Sequence, residues 1–184
     1  MPGVSGIPQD RLGQLERLGK GSRLCFVREL AHPPARVWRA LTDPAELSSW
    51  FPTSVEGAQR AGAPLVFRHP GGEAPPFEGR MVLFEPPAVL ELDWGPDRLR
   101  FELEAIPGGT RLTLYAIISE FGRSVRDAAG WHVCLDRLEQ ALSPGSLDGQ
   151  GGPVDWRAAN AGYVDAFGAE ATTIGPPKEF LAGD

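Results

Sequence analysis

Between residues 98 and 106 the chain alternates strictly. Leu99, Phe101, Leu103 and Ala105 fall on one side, and Arg98, Arg100, Glu102 and Glu104 on the other. A two-residue period predicts a strand with one covered and one wet face, as in an antiparallel sheet. The same apolar row recurs in 88–94 (Leu90, Leu92, Trp94) and in 110–119 (Leu112, Leu114, Ala116, Ile118). Further strands are predicted at 64–69 and 77–85, with turns in HPGGEAPP, EPP, GPD and PGG between them. The stretch 77–85 alternates too poorly to fix which way Arg80 points. Residues 13–30 carry two patterns. Leu12, Leu15 and Leu18 suit a short helix, whereas GKGS is turn chemistry and Leu24, Phe26, Arg28 and Leu30 alternate with Arg23, Cys25, Val27 and Glu29. The alternation favours a hairpin.

Helical periods appear in three places. In HPPARVWRALTDPAELSSWF (32–51), Pro33 and Pro34 open one short helix with Val37, Trp38 and Leu41 on one side. Thr42 or Asp43 caps a second, which ends at Trp50 and Phe51 before Pro52. From Ser124 to Leu142, the 3- and 4-residue steps Ala128, Trp131, Leu135, Leu138 and Leu142 predict one long helix. In DWRAANAGYVDAFG, Trp156, Asn160, Tyr163 and Phe167 recur at helical spacing, which suits a packing helix better than a cofactor box. The domain boundaries that follow are a flexible N-terminus (1–12), a main domain (13–142), a linker (143–153), a C-terminal helix (154–168) and a weakly structured tail (169–184). The architecture is α+β.

Within the long helix, His132, Cys134 and Asp136 resemble a catalytic cluster. At about 100° per residue, however, His132 and Cys134 lie about 200° apart and cannot share a proton. Cys134 reads as a small buried thiol. His132 and Asp136, four apart, can touch, and read as a solvated pair on the helix face. Three scattered histidines, no HExxH and only two cysteines give no metal-ligand spacing. No metal, cofactor or catalytic residue is therefore expected. A net charge of −6 over 184 residues, with sixteen scattered Arg and two Lys, argues against nucleic acid and anionic membrane. No apolar run is long enough to span a membrane and no signal pattern is present, so a cytoplasmic protein with reduced thiols is expected.

In this order, HPPARVWRALTDPAELSSWF, PPFEGRMVLFEPPAVLELDW, GGTRLTL and AAGWHVCLDRL resemble the START-like/polyketide cyclase (SRPBCC) helix-grip superfamily. More narrowly, they resemble bacterial proteins related to the C-terminal domain of the activator of the heat-shock protein 90 ATPase. The resemblance runs from about Gly13 to Gly168. It implies a curved antiparallel sheet wrapped around the long C-terminal helix, with an apolar cavity between them. Candidate lining residues are Trp50 and Phe51 at the mouth, Phe67, Trp94, Phe101 and Leu103 from the sheet, and Trp131 and Leu135 from the helix; each can equally pack as core. His69 and Arg80 are candidate polar contacts.

Three functions fit this picture. The leading one is binding of a small apolar or aromatic molecule, without evident catalytic machinery. The second is a protein-interaction or co-chaperone-like module, which predicts an exposed apolar patch near Trp156–Phe167. The third is a cyclase- or dehydratase-type enzyme, which needs a titratable group such as His69, Asp93 or His132 in the cavity. A monomer and a homodimer are equally compatible with the sequence.

Overall fold

The computed structural model describes residues 7–148 and 152–176. A hairpin of β1 (Gln14–Leu18) and β2 (Gly21–Leu30) leads into two short helices, α1 (Pro34–Thr42) and α2 (Pro44–Leu47). Six strands follow: β3 (Ser54–Gly57), β4 (Pro64–Arg68), β5 (Phe77–Glu85), β6 (Val89–Trp94), β7 (Asp97–Ile106) and β8 (Gly109–Ile118). The 19-residue α3 (Ser124–Leu142) and then α4 (Trp156–Phe167) complete the order. All eight strands form one antiparallel sheet in the order β1-β2-β8-β7-β6-β5-β4-β3, and the sheet grips α3. This is the α+β helix-grip fold.

The register explains why the sheet has one dry face. Phe26 pairs with Leu114, Leu114 with Phe101, Phe101 with Leu90 and Leu90 with Phe84. The neighbouring row runs Leu24, Ala116, Leu99, Leu92 and Met81. Each row comes from the alternating positions of its strands and is buried, except for the half-buried Phe84 at the end of the first. The poor alternation of 77–85 has a local cause. The β5–β6 register shifts between Met81 and Leu83, a bulge that changes which residues face inward. Arg80, before the shift, is exposed.

Helix starts follow their caps. Pro33 precedes α1 with Pro34 as its first residue, and α1 buries Val37, Trp38, Ala40 and Leu41. The Asp43 carboxylate accepts from the backbone N–H groups of Ala45 (2.9 Å) and Glu46 (3.4 Å), which fixes the start of α2. Among the described residues, no helix is long and apolar enough to cross a membrane.

Both ends depart from the loose segments expected. Ile7 is buried and Gln9–Arg11 forms a 3₁₀ turn. At the other end Ala169–Thr172 forms another such turn, Ala171 is fully buried, and Ile174 N–H donates to Gly122 C=O at 3.0 Å. In the predicted linker Leu147 is buried. Residues 1–6, 149–151 and 177–184 of the predicted flexible segments lie outside the described residues.

Candidate functional site

Six of the eight residues proposed as cavity lining come together in one aromatic cluster. Phe51 packs edge-on to Trp50 (5.2 Å between centroids) and Trp94 (5.1 Å), and lies 5.8 Å from Trp131. Phe67 contacts Trp94 at 4.7 Å, Trp94 contacts Trp131 at 5.9 Å, and Trp50 contacts Phe101 at 6.1 Å. Phe77, which the alternation failed to single out, stacks on Phe67 at 5.0 Å and meets Trp94 at 4.8 Å. Most of these are edge-to-face pairs, the geometry that aligns ring edges with ring faces. Gly79 makes room for the cluster, because a Cβ there would strike the Phe67 ring and the Asp93 carbonyl. Leu103 and Leu135 are buried in the same hydrophobic core and do not line the cavity.

The rings of Phe51 and Trp94 pack against Trp131 of α3. An apolar cavity of about 70 Å³ lies between α1–α2 and strands β3–β7, and no residue of α3 lines it. Trp50, Phe51 and Phe101 contribute to its wall, together with Leu41, Leu47, Val55, Leu65, Met81, Phe84, Leu90 and Leu92. Phe67, Trp94, Leu103, Trp131 and Leu135 do not line it, so this cavity lies under α1–α2 and is distinct from the one expected between the sheet and the long helix. The physical reason is length: α1 and α2 are short and leave β5 and β6 incompletely covered, whereas α3 meets its part of the sheet with Trp131 packed against Trp94 of β6 and Phe51. Thr42 and Gln59 sit at the rim, and Gln59 Nε2 donates to Thr42 C=O at 2.7 Å across it. Neither proposed polar contact is present: Arg80 is exposed, and His69 packs 5.9 Å from Phe77.

The opposite flank of α3 holds a second constellation. His132 and Asp136 are not a solvated pair; both are almost wholly buried, under α4 and the N-terminal turn. Tyr163 Oη accepts from Gly13 N–H at 2.9 Å and shares a second hydrogen bond with His132 Nδ1, 2.8 Å away. His132 Nε2 faces Asp136 Oδ1 at 3.7 Å, beyond hydrogen-bond distance. Arg11 donates to Asp136 at 2.9 Å and to Glu139 at 2.8 Å, and Val154 N–H donates to Asp136 at 3.2 Å. Arg28, buried on β2, donates to the Arg11 carbonyl at 3.0 Å and lies 3.8 Å from Asp136.

Burial sets the ionisation here. It lowers the His132 pKa to about 4, and the Arg28 charge adds to that against the opposing pull of Asp136. Burial pushes the Tyr163 phenol up to about 12 and the Cys134 thiol up to about 12, so Cys134 is an unreactive core thiol. A neutral, fully enclosed imidazole cannot reach a substrate in the cavity. The cluster ties the N-terminal turn, β2, α3 and α4 together. Its one sequence signal was Arg28, a charge in the inward series Leu24, Phe26, Leu30.

Solved structures share this architecture. The chain is similar to EF2215 from Enterococcus faecalis, a conserved protein of unknown function, with 19% identity over 84% of this chain and 89% of that one, at a TM-score of 0.70. CalU16 from Micromonospora echinospora aligns with 21% identity over 91% of this chain and 97% of that one, at a TM-score of 0.67. NE0264 from Nitrosomonas europaea aligns with 27% identity over 68% and 96% of the respective chains, at a TM-score of 0.56. The curated proteins yield no match. The family model for activator of Hsp90 ATPase homolog 1-like proteins matches residues 31–143, from the turn before α1 to the end of α3. That span includes both helices at the cavity, six of the eight strands and the gripped helix, and the chain therefore belongs to the activator of Hsp90 ATPase homolog 1-like family, with a START-like fold.

Proposed function

We propose that the protein binds a small apolar or aromatic molecule in the cavity between α1–α2 and the sheet. The observation that carries this reading is a partly open, mainly apolar space walled by Trp50, Phe51, Phe84 and Phe101, with Thr42 and Gln59 as its polar side chains at the rim. No titratable side chain lines it, which supports binding over acid–base chemistry in this cavity. At about 70 Å³ the cavity is smaller than the engineered, benzene-binding cavity of roughly 150 Å³ in another protein. A ligand with more than a few heavy atoms therefore enters by displacing α2 and the β3–β4 rim. Cys25 and Cys134 are both free, which supports a cytoplasmic setting.

The family name raises the co-chaperone reading as well. α4, where an apolar docking patch was expected, keeps Tyr163 fully buried, and among the described residues the exposed large apolar ones, Leu18, Val27 and Ile174, lie elsewhere. This favours the cavity over α4 as the working surface.

Native mass spectrometry after challenge with a panel of small aromatics tests the proposal. The wild type should carry a one-to-one adduct. Val55→Phe, which fills the cavity from its partly buried rim, should lose the adduct with an unchanged circular dichroism spectrum. A wild type that takes up none of the panel would remove the binding reading.

A further inference from the structure

The cavity's hydrogen-bonding inventory is short enough to specify what it selects. Among its lining side chains, three carry a strong donor: Trp50, Thr42 and Gln59. Two of these are committed within the fold. The Trp50 indole N–H donates to Ala40 C=O at 2.9 Å in a buried bond, and the Thr42 hydroxyl donates to Trp38 C=O at 2.9 Å. Gln59 differs. It is exposed, and its carboxamide reaches from the β3–β4 loop to the Thr42 carbonyl at the C-terminal end of α1, where helix carbonyls have no partner further along the helix. Its bond joins the two rims of the cavity and can be exchanged without disturbing the core.

On the reading that this cavity binds small molecules, we infer that it selects ligands with one uncharged hydroxyl on a compact apolar or aromatic body, and that Gln59 is the residue that reads this group. A hydroxyl is both donor and acceptor. Inserted between the rims, it donates to the Thr42 carbonyl and accepts from Gln59 Nε2, so both ends of the parted bond are satisfied again. A carboxylate offers acceptors alone. It would set its charge beside the Thr42 carbonyl oxygen, in a lining that holds no Lys, Arg or His. A purely apolar molecule leaves the Gln59–Thr42 bond in place and gains only from burial against the aromatic wall. The rim thus sorts neutral hydroxyl compounds from acids of the same shape.

The test compares phenol, toluene and benzoate by isothermal titration and tryptophan fluorescence on the full chain and on Gln59→Leu. Gln59 lies in an exposed loop, so the variant should melt with the wild type. The wild type should bind phenol at least about tenfold more tightly than benzoate. Gln59→Leu should weaken phenol about three- to tenfold, the range of one hydrogen bond, and leave toluene within about twofold. Toluene binding with a phenol affinity unmoved by Gln59→Leu would overturn the role of Gln59 while the cavity reading stands. Equal affinity for phenol and benzoate would overturn the selection of uncharged groups. Failure of the wild type to bind any of the three would overturn both the inference and the cavity reading.

Discussion

The two flanks of α3 are buried to a similar degree by different chemistry. On one, Trp131 meets Trp94 and Phe51, and rings from six segments of the chain pack, mostly edge against face. On the other, His132 and Asp136 are held by Arg11, Tyr163 and the Val154 backbone. The aromatic flank can lose one contact and keep the others, because dispersion and area burial are shared among many atoms. The polar flank depends on completeness: each buried donor or acceptor left without a partner costs more than the bond contributed. One flank therefore tolerates adjacent space and borders the cavity, while the other behaves as a fixed clamp.

Asp136→Ala should reveal the contrast most strongly. It removes the carboxylate that holds Arg11 and Val154 and faces Arg28, and should cost about 3–5 kcal/mol in urea unfolding. A loss under about 1 kcal/mol would show that the clamp is no more demanding than a surface ion pair.

Acidification comes next. The folded-state pKa of His132, about 4, lies below its ordinary value of 6.5, so folding favours the neutral ring. The contribution is complete above pH 6.5 and declines as the pH falls from there toward 4, because the unfolded chain takes up the proton first. The total is about 3 kcal/mol for a fully buried group. His132→Asn should flatten this part of the stability–pH curve; an unchanged slope would assign the acid sensitivity to other groups.

The smallest effect belongs to the aromatic flank. Gly79→Ala should cost about 1–3 kcal/mol, since the new methyl group must displace the Phe67 ring or the β6 backbone. A thermal melt unchanged from the wild type would show that the cluster yields more readily than its packing suggests.

The aromatic flank was legible in the sequence and the polar one was not, for a physical reason. Leu99, Phe101 and Leu103 announce their face through their neighbours, and the strands they predict match the observed ones to within a residue or two. The short β3 carries no such period: Ser54, Val55, Glu56 and Gly57 are mainly polar and form an edge. His132 and Asp136 looked solvated because their helix neighbours give no hint of partners. Those partners arrive from Arg11, 125 residues before Asp136, and from Tyr163 on another helix. Periodicity shows which side chains point inward, but not where the elements above them are too short to meet. The cavity beside α1–α2 and above β5 and β6 therefore left no mark in the periodicity.

The Arg11–Asp136 bond also has a kinetic side. It closes a loop of 125 residues, so the chain entropy that opposes it can be overcome only after the sheet has brought β2 close to α3. The clamp belongs to the end of folding, when hydrophobic collapse has already placed the tryptophans. By the same logic, a protease that trims the segment before Gly13 removes the Arg11 jaw of the clamp from Asp136 and Glu139 and leaves the Gly13–Tyr163 bond to α4 in place.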